Sequence, residues 1–153
     1  REQIIKSLDQ KGLQGENKDG MDMALCKYDP YKGTVQYSGA YNPLIHIRKN
    51  QINQLKGDSQ PVGLHTGKKL PFTNKEIQVA KGDMLYIYSD GFPDQFGGEK
   101  GKKYLSGKFK KFLLSISDKP IDEQNTLIKA EFTNWIGDHE QIDDVCVMGV
   151  RIT

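Results

Sequence analysis

Apolar positions recur at three or four residues at both ends of the chain and alternate at two in the middle. Ile4, Ile5 and Leu8 predict a helix over Arg1–Lys11, ended by Gly12 and Gly15. Short strands follow at Met21–Tyr28, Thr34–Ser38, Leu44–Arg48, Gln51–Leu55, Phe72–Val79 and Met84–Ser89, separated by clusters of glycine, proline, asparagine and lysine. Met23, Leu25 and Tyr28 are expected on one face of the first of these. Lys56–Gly63 reads as loop, with Pro61-Val62-Gly63-Leu64 as an ordered crossing segment. After Gly97–Lys103, read as a surface loop, the period changes. Leu105, Phe109, Phe112, Leu113 and Ile116 predict a helix over Tyr104–Ser117. Leu127, Ile128, Phe132, Trp135 and Ile136 give a second, Ile121–Ile136, a core-facing stripe ended by Gly137. Val145–Ile152 is a last, buried strand. Short strands on tight turns, then two helices, then one strand, predict an α+β fold with helices on antiparallel sheet.

The 153 residues fit one domain, 1–153. Lysine and arginine number 22 against 20 acidic residues, a net charge of +2, so nothing calls for nucleic acid. The lysines of Lys108–Lys111 are split by Phe109 and read as a solvated helix face. No apolar run is long enough to insert in a membrane, and no leader peptide is visible. Cys26 and Cys146 lie in apolar runs and are expected to be reduced core residues of a cytoplasmic protein. The first residue is not methionine and falls in a helical pattern, so a piece of a longer protein is expected.

The chemistry concentrates where carboxylates meet strand ends. Asp90 follows the run Met84–Tyr88 in Ser89-Asp90-Gly91. Asp143-Asp144 precede Val145–Ile152. Asp-Gly is equally a common turn pair, and two adjacent aspartates equally form an exposed acidic turn. If the two strands are antiparallel neighbours, however, the carboxylates share one rim. Hard divalent ions such as Mg2+ or Mn2+ take oxygen ligands of this kind. His46, His65 and His139 have no partner at a metal-ligand spacing and are read as non-ligands.

Five segments occur in an order that resembles a known family: DGMDMALCKYD (19–29), YSGAYNPLIHIR (37–48), PVGL (61–64), GDMLYIYSDGFPDQF (82–96) and DDVCVMGVRI (143–152). Together they resemble the C-terminal part of the bacterial metal-dependent serine/threonine phosphatases of type 2C, in the branch of the sporulation phosphatase and the sigma-factor regulators. That family implies a β-sandwich flanked by helices and a two-metal site, Mn2+ or Mg2+, whose water attacks a phosphoserine or phosphothreonine. Asp90 and Asp143 match metal ligands in it, and Asp144 is the weaker candidate. Gly39–Pro43 matches a loop near the rim, with no catalytic role.

The resemblance also implies an Asp-Gly pair on early strands that are missing here; Asp19-Gly20 sits where the family has an ordinary loop. Exposed strand edges, dimerisation through them, and little or no activity of 1–153 alone are therefore expected. The implied partners are a phosphoprotein, an anti-sigma-factor antagonist by resemblance, and sensor or regulatory domains upstream. Two alternatives stand beside this reading. One is a non-enzymatic interaction module that keeps the phosphatase fold, and the other an unrelated α+β binding domain with acidic rims.

Overall fold

A computed structural model describes residues 2–9, 20–64 and 70–153. In chain order the elements are α1 (Glu2–Ser7), β1 (Gly20–Met21), β2 (Met23–Asp29), β3 (Thr34–Ala40), β4 (Leu44–Arg48), β5 (Gln51–Leu55), β6 (Val62–Gly63), β7 (Lys75–Gln78), β8 (Met84–Tyr88), α2 (Gly91–Asp94), β9 (Phe96–Gly97), β10 (Lys102–Lys103), α3 (Ser106–Ile116), α4 (Ile121–Ile136) and β11 (Val147–Arg151). They fall into two compact units. One comprises Arg1–Leu44 with Leu55–Gln78, the other Ile45–Gln54 with Val79–Thr153.

In the first unit, β2 and β3 form an antiparallel hairpin in the register Asp29↔Thr34 to Met23↔Ala40. Asp29 shapes its turn by accepting the Tyr31 and Lys32 backbone N–H groups at 3.0 and 3.1 Å. β7 pairs on the other side of β3, so β3 is central and β2 is an edge. This position explains two departures from the sequence pattern. Val35, Tyr37 and Ala40 of β3 are buried, whereas Leu25 of β2 is 62% exposed and Cys26 is exposed too. The strand also runs through Gly39 and Ala40, so the turn predicted at Gly39 begins only at Tyr41, whose φ is 58°. Val62–Gly63, in the expected ordered crossing segment Pro61–Leu64, pairs with Gly20–Met21 as a two-residue ladder. The α1 helix ends at Ser7, and Asp9 turns into the left-handed region at φ 48°; Lys11, Gly12 and Gly15 of the predicted helix end lie outside the described residues.

The second unit holds a four-stranded sheet in the order β11-β8-β4-β5. β4 and β5 are joined by Lys49-Asn50, both with positive φ (48° and 60°), the geometry of a two-residue hairpin turn. β8 reads as predicted from its apolar run. Ile45, Ile47, Met84, Tyr86 and Tyr88 form one core with Phe92, Tyr104, Phe109 and Leu113, and Ile128, Phe132 and Trp135 of α4 pack against it half-buried. The α4 stripe is thus a core face, as its spacing predicts. Leu105 is not on the α3 face: at φ 77° it precedes the helix and is 61% exposed. The Gly/Lys segment expected as loop contains the small hairpin β9–β10. β11 is shorter than expected and is not buried. It lies at the edge of the sheet, and Met148 and Val150 are 54% and 48% exposed. Cys146, expected in the core, is exposed just before it.

The turn before β8 holds a buried charge cluster that composition does not reveal. Asp83 is 3% exposed. It accepts a bidentate pair from Arg48 (Nε to Oδ1 2.9 Å, Nη2 to Oδ2 2.7 Å), the Ala80 N–H at 2.9 Å, and His46 Nε2 at 2.8 Å. An ionised carboxylate only accepts, so Nε2 carries the proton. Burial pushes the Asp83 carboxyl up, but the Arg48, Ala80 and His46 hydrogen bonds outweigh it and hold the pKa at about 2, against an ordinary 3.8. A depressed folded-state pKa stabilises the fold above the unfolded value, and that contribution fades as pH falls from about 4 through about 2. Stability should drop by about 2 kcal/mol across that window. Denaturant titrations at pH 5 and pH 2 measure it, and an Asp83→Asn protein with an unchanged acid-side loss would refute the assignment.

Candidate metal-binding rim

β8 and β11 are antiparallel neighbours in the register Val147↔Tyr88 to Met84↔Arg151. The C-terminal end of β8 therefore lies beside the N-terminal end of β11. Asp90 follows the first and Asp143-Asp144 precede the second, so the topology brings the three predicted aspartates to one rim of the sheet. All three are exposed.

Ser89 ties the two ends together beyond the ladder. Its N–H donates to the Cys146 carbonyl at 3.0 Å. Its hydroxyl donates to the Asp144 carbonyl at 2.9 Å and accepts from the Cys146 N–H at 2.9 Å. Gly91 lets the chains approach: a Cβ there would lie 2.4 Å from the Asp144 carbonyl oxygen. Its φ is not positive, so the glycine serves close approach rather than the sharp turn that Asp-Gly suggests. Asp90 itself precedes the one-turn helix α2 but makes no side-chain capping bond.

Gln95 fixes the acidic segment from beneath and is fully buried. Its Nε2 donates to the Glu140 carbonyl at 2.8 Å and to the Phe96 carbonyl at 2.9 Å, and its Oε1 accepts the Ile142 N–H at 3.4 Å. Its own carbonyl accepts the Trp135 indole N–H at 3.0 Å. A buried amide with both ends bonded to backbone holds a loop in one conformation. Within that loop Asp143 Oδ1 accepts the Asp144 N–H at 2.7 Å, and Gln141 donates to the Asp143 carbonyl at 2.8 Å. Neither Ser89 nor Gln95 stands out in the sequence. The one hint is that Gln95 follows Phe92-Pro93-Asp94 and precedes Phe96, between two aromatic residues.

Among the described residues, no lysine, arginine or histidine pairs with Asp90, Asp143 or Asp144. Their oxygens form a hard donor set on an open rim, which suits Mg2+ or Mn2+ rather than a soft metal. Among the described residues, no three His, Cys, Asp or Glu side chains are placed so that together they could hold a metal ion, so the rim offers at most part of a ligand set. His46 is bound to Asp83 at the other end of β8, His139 is exposed in the loop after α4, and His65 and Asp19 lie outside the described residues. A cavity of about 300 Å³ lined by Lys49, Gly82, Met84 and Arg151, among others, also belongs to that other end and not to the rim.

The whole chain, residues 1–153, matches the family described as Stage II sporulation protein E (SpoIIE). The chain belongs to the SpoIIE family. Solved structures agree on the fold. The SiaA-PP2C domain of Pseudomonas aeruginosa is 29% identical with a TM-score of 0.79, over 86% of this chain and 52% of that one. The phosphatase domain of SpoIIE from Bacillus subtilis is 17% identical with a TM-score of 0.60, over 99% of this chain and 64% of that one. The RsbU and RsbW domains of a Mycobacterium tuberculosis protein are 20% identical with a TM-score of 0.64, over 97% of this chain and 41% of that one. This SpoIIE-family chain therefore spans roughly half to two thirds of the solved phosphatase domains it matches. No curated protein matches it. The α+β fold and the resemblance stated from the five motifs are both borne out, and the fold is that of type 2C phosphatase domains. Among the described residues, no helix is long and apolar enough to cross a membrane.

Proposed function

We propose that residues 1–153 are the C-terminal part of a metal-dependent protein serine/threonine phosphatase domain that acts in the bacterial cytoplasm. The observation that supports this reading is the antiparallel pairing of β8 with β11, which brings the segments carrying Asp90 and Asp143-Asp144 to one end of the sheet. Asp90 and Asp143 would hold a divalent cation, Mn2+ or Mg2+, with Asp144 as the weaker candidate. When bound, such ions supply an activated water and positive charge for phosphoryl transfer. The chain's own residues then do three things. Asp90 and Asp143 present oxygens from two segments, Ser89 and Gln95 hold those segments in register, and Gly91 allows their close approach. The proposed substrate is a phosphoserine or phosphothreonine protein, by family resemblance an anti-sigma-factor antagonist, and the proposed regulators are sensor domains in the same protein. Because the described residues supply only part of a ligand set, 1–153 by itself is expected to be weakly active or inactive.

That same incompleteness favours a second reading, an interaction module that keeps the fold without the chemistry. Hydrolysis of a phosphoserine peptide by the full protein separates the two. Turnover that EDTA removes and Mn2+ restores supports the phosphatase; no turnover at saturating Mn2+ or Mg2+ would contradict it and leave the module.

A further inference from the structure

We infer that Ser89 and Gln95 form a two-point clamp that sets the metal affinity of the rim without touching the metal. This inference rests on the proposed metal site. Asp90 sits on the β8–α2 connection, while Asp143 and Asp144 sit on the segment between α4 and β11. Two flexible loops that share an ion must be held at one separation before the ion arrives, or binding is weakened by the cost of ordering them.

The clamp closes that gap at both ends of the acidic segment. On its C-terminal side, the Ser89 hydroxyl bonds in both directions: it donates to the Asp144 carbonyl and accepts from the Cys146 N–H, both at 2.9 Å. Ser89 is the residue immediately before Asp90, so the hydroxyl fixes Asp90 against Asp144 through backbone alone. On its N-terminal side, the buried Gln95 amide grips the Glu140 carbonyl and the Ile142 N–H. Gln95 follows α2, the helix that Asp90 opens, and the Asp94 N–H donates back to the Asp90 carbonyl at 2.9 Å. Both grips therefore run from the Asp90 segment to the Asp143 segment. Both residues act through others and are positioning residues, not ligands.

Threonine keeps the Ser89 hydroxyl, and alanine removes it. In the full protein, Ser89→Ala is expected to weaken Mn2+ binding by about 10–100-fold, the usual effect of losing a partner behind a metal ligand, and Ser89→Thr to restore it. In metal-free protein the Cys146 amide should exchange with solvent faster in Ser89→Ala than in wild type, a readout that needs neither metal nor turnover. Gln95→Glu, which replaces the amide nitrogen and its two donated bonds by an acceptor oxygen at nearly the same volume, should weaken Mn2+ binding in the same direction. Asp90→Asn serves as the reference. If it removes Mn2+ binding while Ser89→Ala binds as wild type does, the clamp is refuted and the metal site stands. If Asp90→Asn binds Mn2+ unchanged, the metal site itself is refuted and the clamp falls with it. Loss of binding in Ser89→Ala that threonine does not restore would also overturn the clamp, because the hydroxyl would not be the cause.

Discussion

On the proposed function, Asp90→Asn should lower phosphoester turnover by the full protein by more than about 100-fold, because it would remove a charged oxygen donor from a site whose charge stabilisation is worth several kcal/mol. The fold should tolerate the change. Asp90 is exposed, makes no capping bond, and pairs with no cation among the described residues. Folding stability within about 0.5 kcal/mol of wild type is therefore expected. Asparagine at 143 should have a similar effect on turnover, and at 144 a smaller one. One oxygen of Asp143 already accepts the Asp144 N–H, so the second is the one free to act as a donor. A larger loss at Asp144 than at Asp143 would exchange their roles. Near wild-type turnover in Asp90→Asn would rule out the phosphatase chemistry assigned to this rim.

Phe92→Ala should be the most destabilising single change near the site, by about 3–5 kcal/mol. Phe92 is fully buried two residues after Asp90. Its ring meets Tyr104 at 5.0 Å and 74°, Phe132 at 5.0 Å and 62°, and Phe109 at 4.4 Å. Edge-on aromatic packing of this kind contributes beyond the area buried. The truncation leaves a hole where α2, α3 and α4 converge, and rigid neighbours fill it poorly. Phe92→Leu should cost less. Denaturant unfolding measures both, and a loss under 1 kcal/mol for alanine would mean that α2 is not anchored through this ring. That outcome would also loosen the link from core to rim, since α2 carries the chain from Asp90 to Gln95.

How legible all this was in the sequence varies by element. The run Met84–Tyr88 predicted β8 correctly because a buried central strand is apolar on both faces. β11 belongs to an apolar run too, though one broken by Gly149 and Arg151, and it sits at an edge, so the run did not imply burial, and Cys146 beside it is exposed. Cys26 failed for the same reason on β2. Neighbour order is a tertiary property that single-strand patterning does not contain. Leu105 fits the α3 period but has φ 77°, a turn that periodicity cannot report. The β9–β10 hairpin has glycine and lysine where strands usually have β-branched residues, so it read as loop. At the rim, residue type and strand-end position point to Asp90 and Asp143-Asp144 as the proposed ligands, and the strand pairing on which that reading depends, β8 against β11, is present. The Asp83 cluster and the grips of Ser89 and Gln95 were not legible. Each depends on groups 35 to 57 residues apart meeting in space.

Calorimetric titration of Mn2+ into the full protein, beside Asp90→Asn, tests the central claim most directly. The claim predicts saturable Mn2+ binding that Asp90→Asn removes while thermal unfolding of the metal-free proteins stays the same. Equal binding by the two proteins would contradict it.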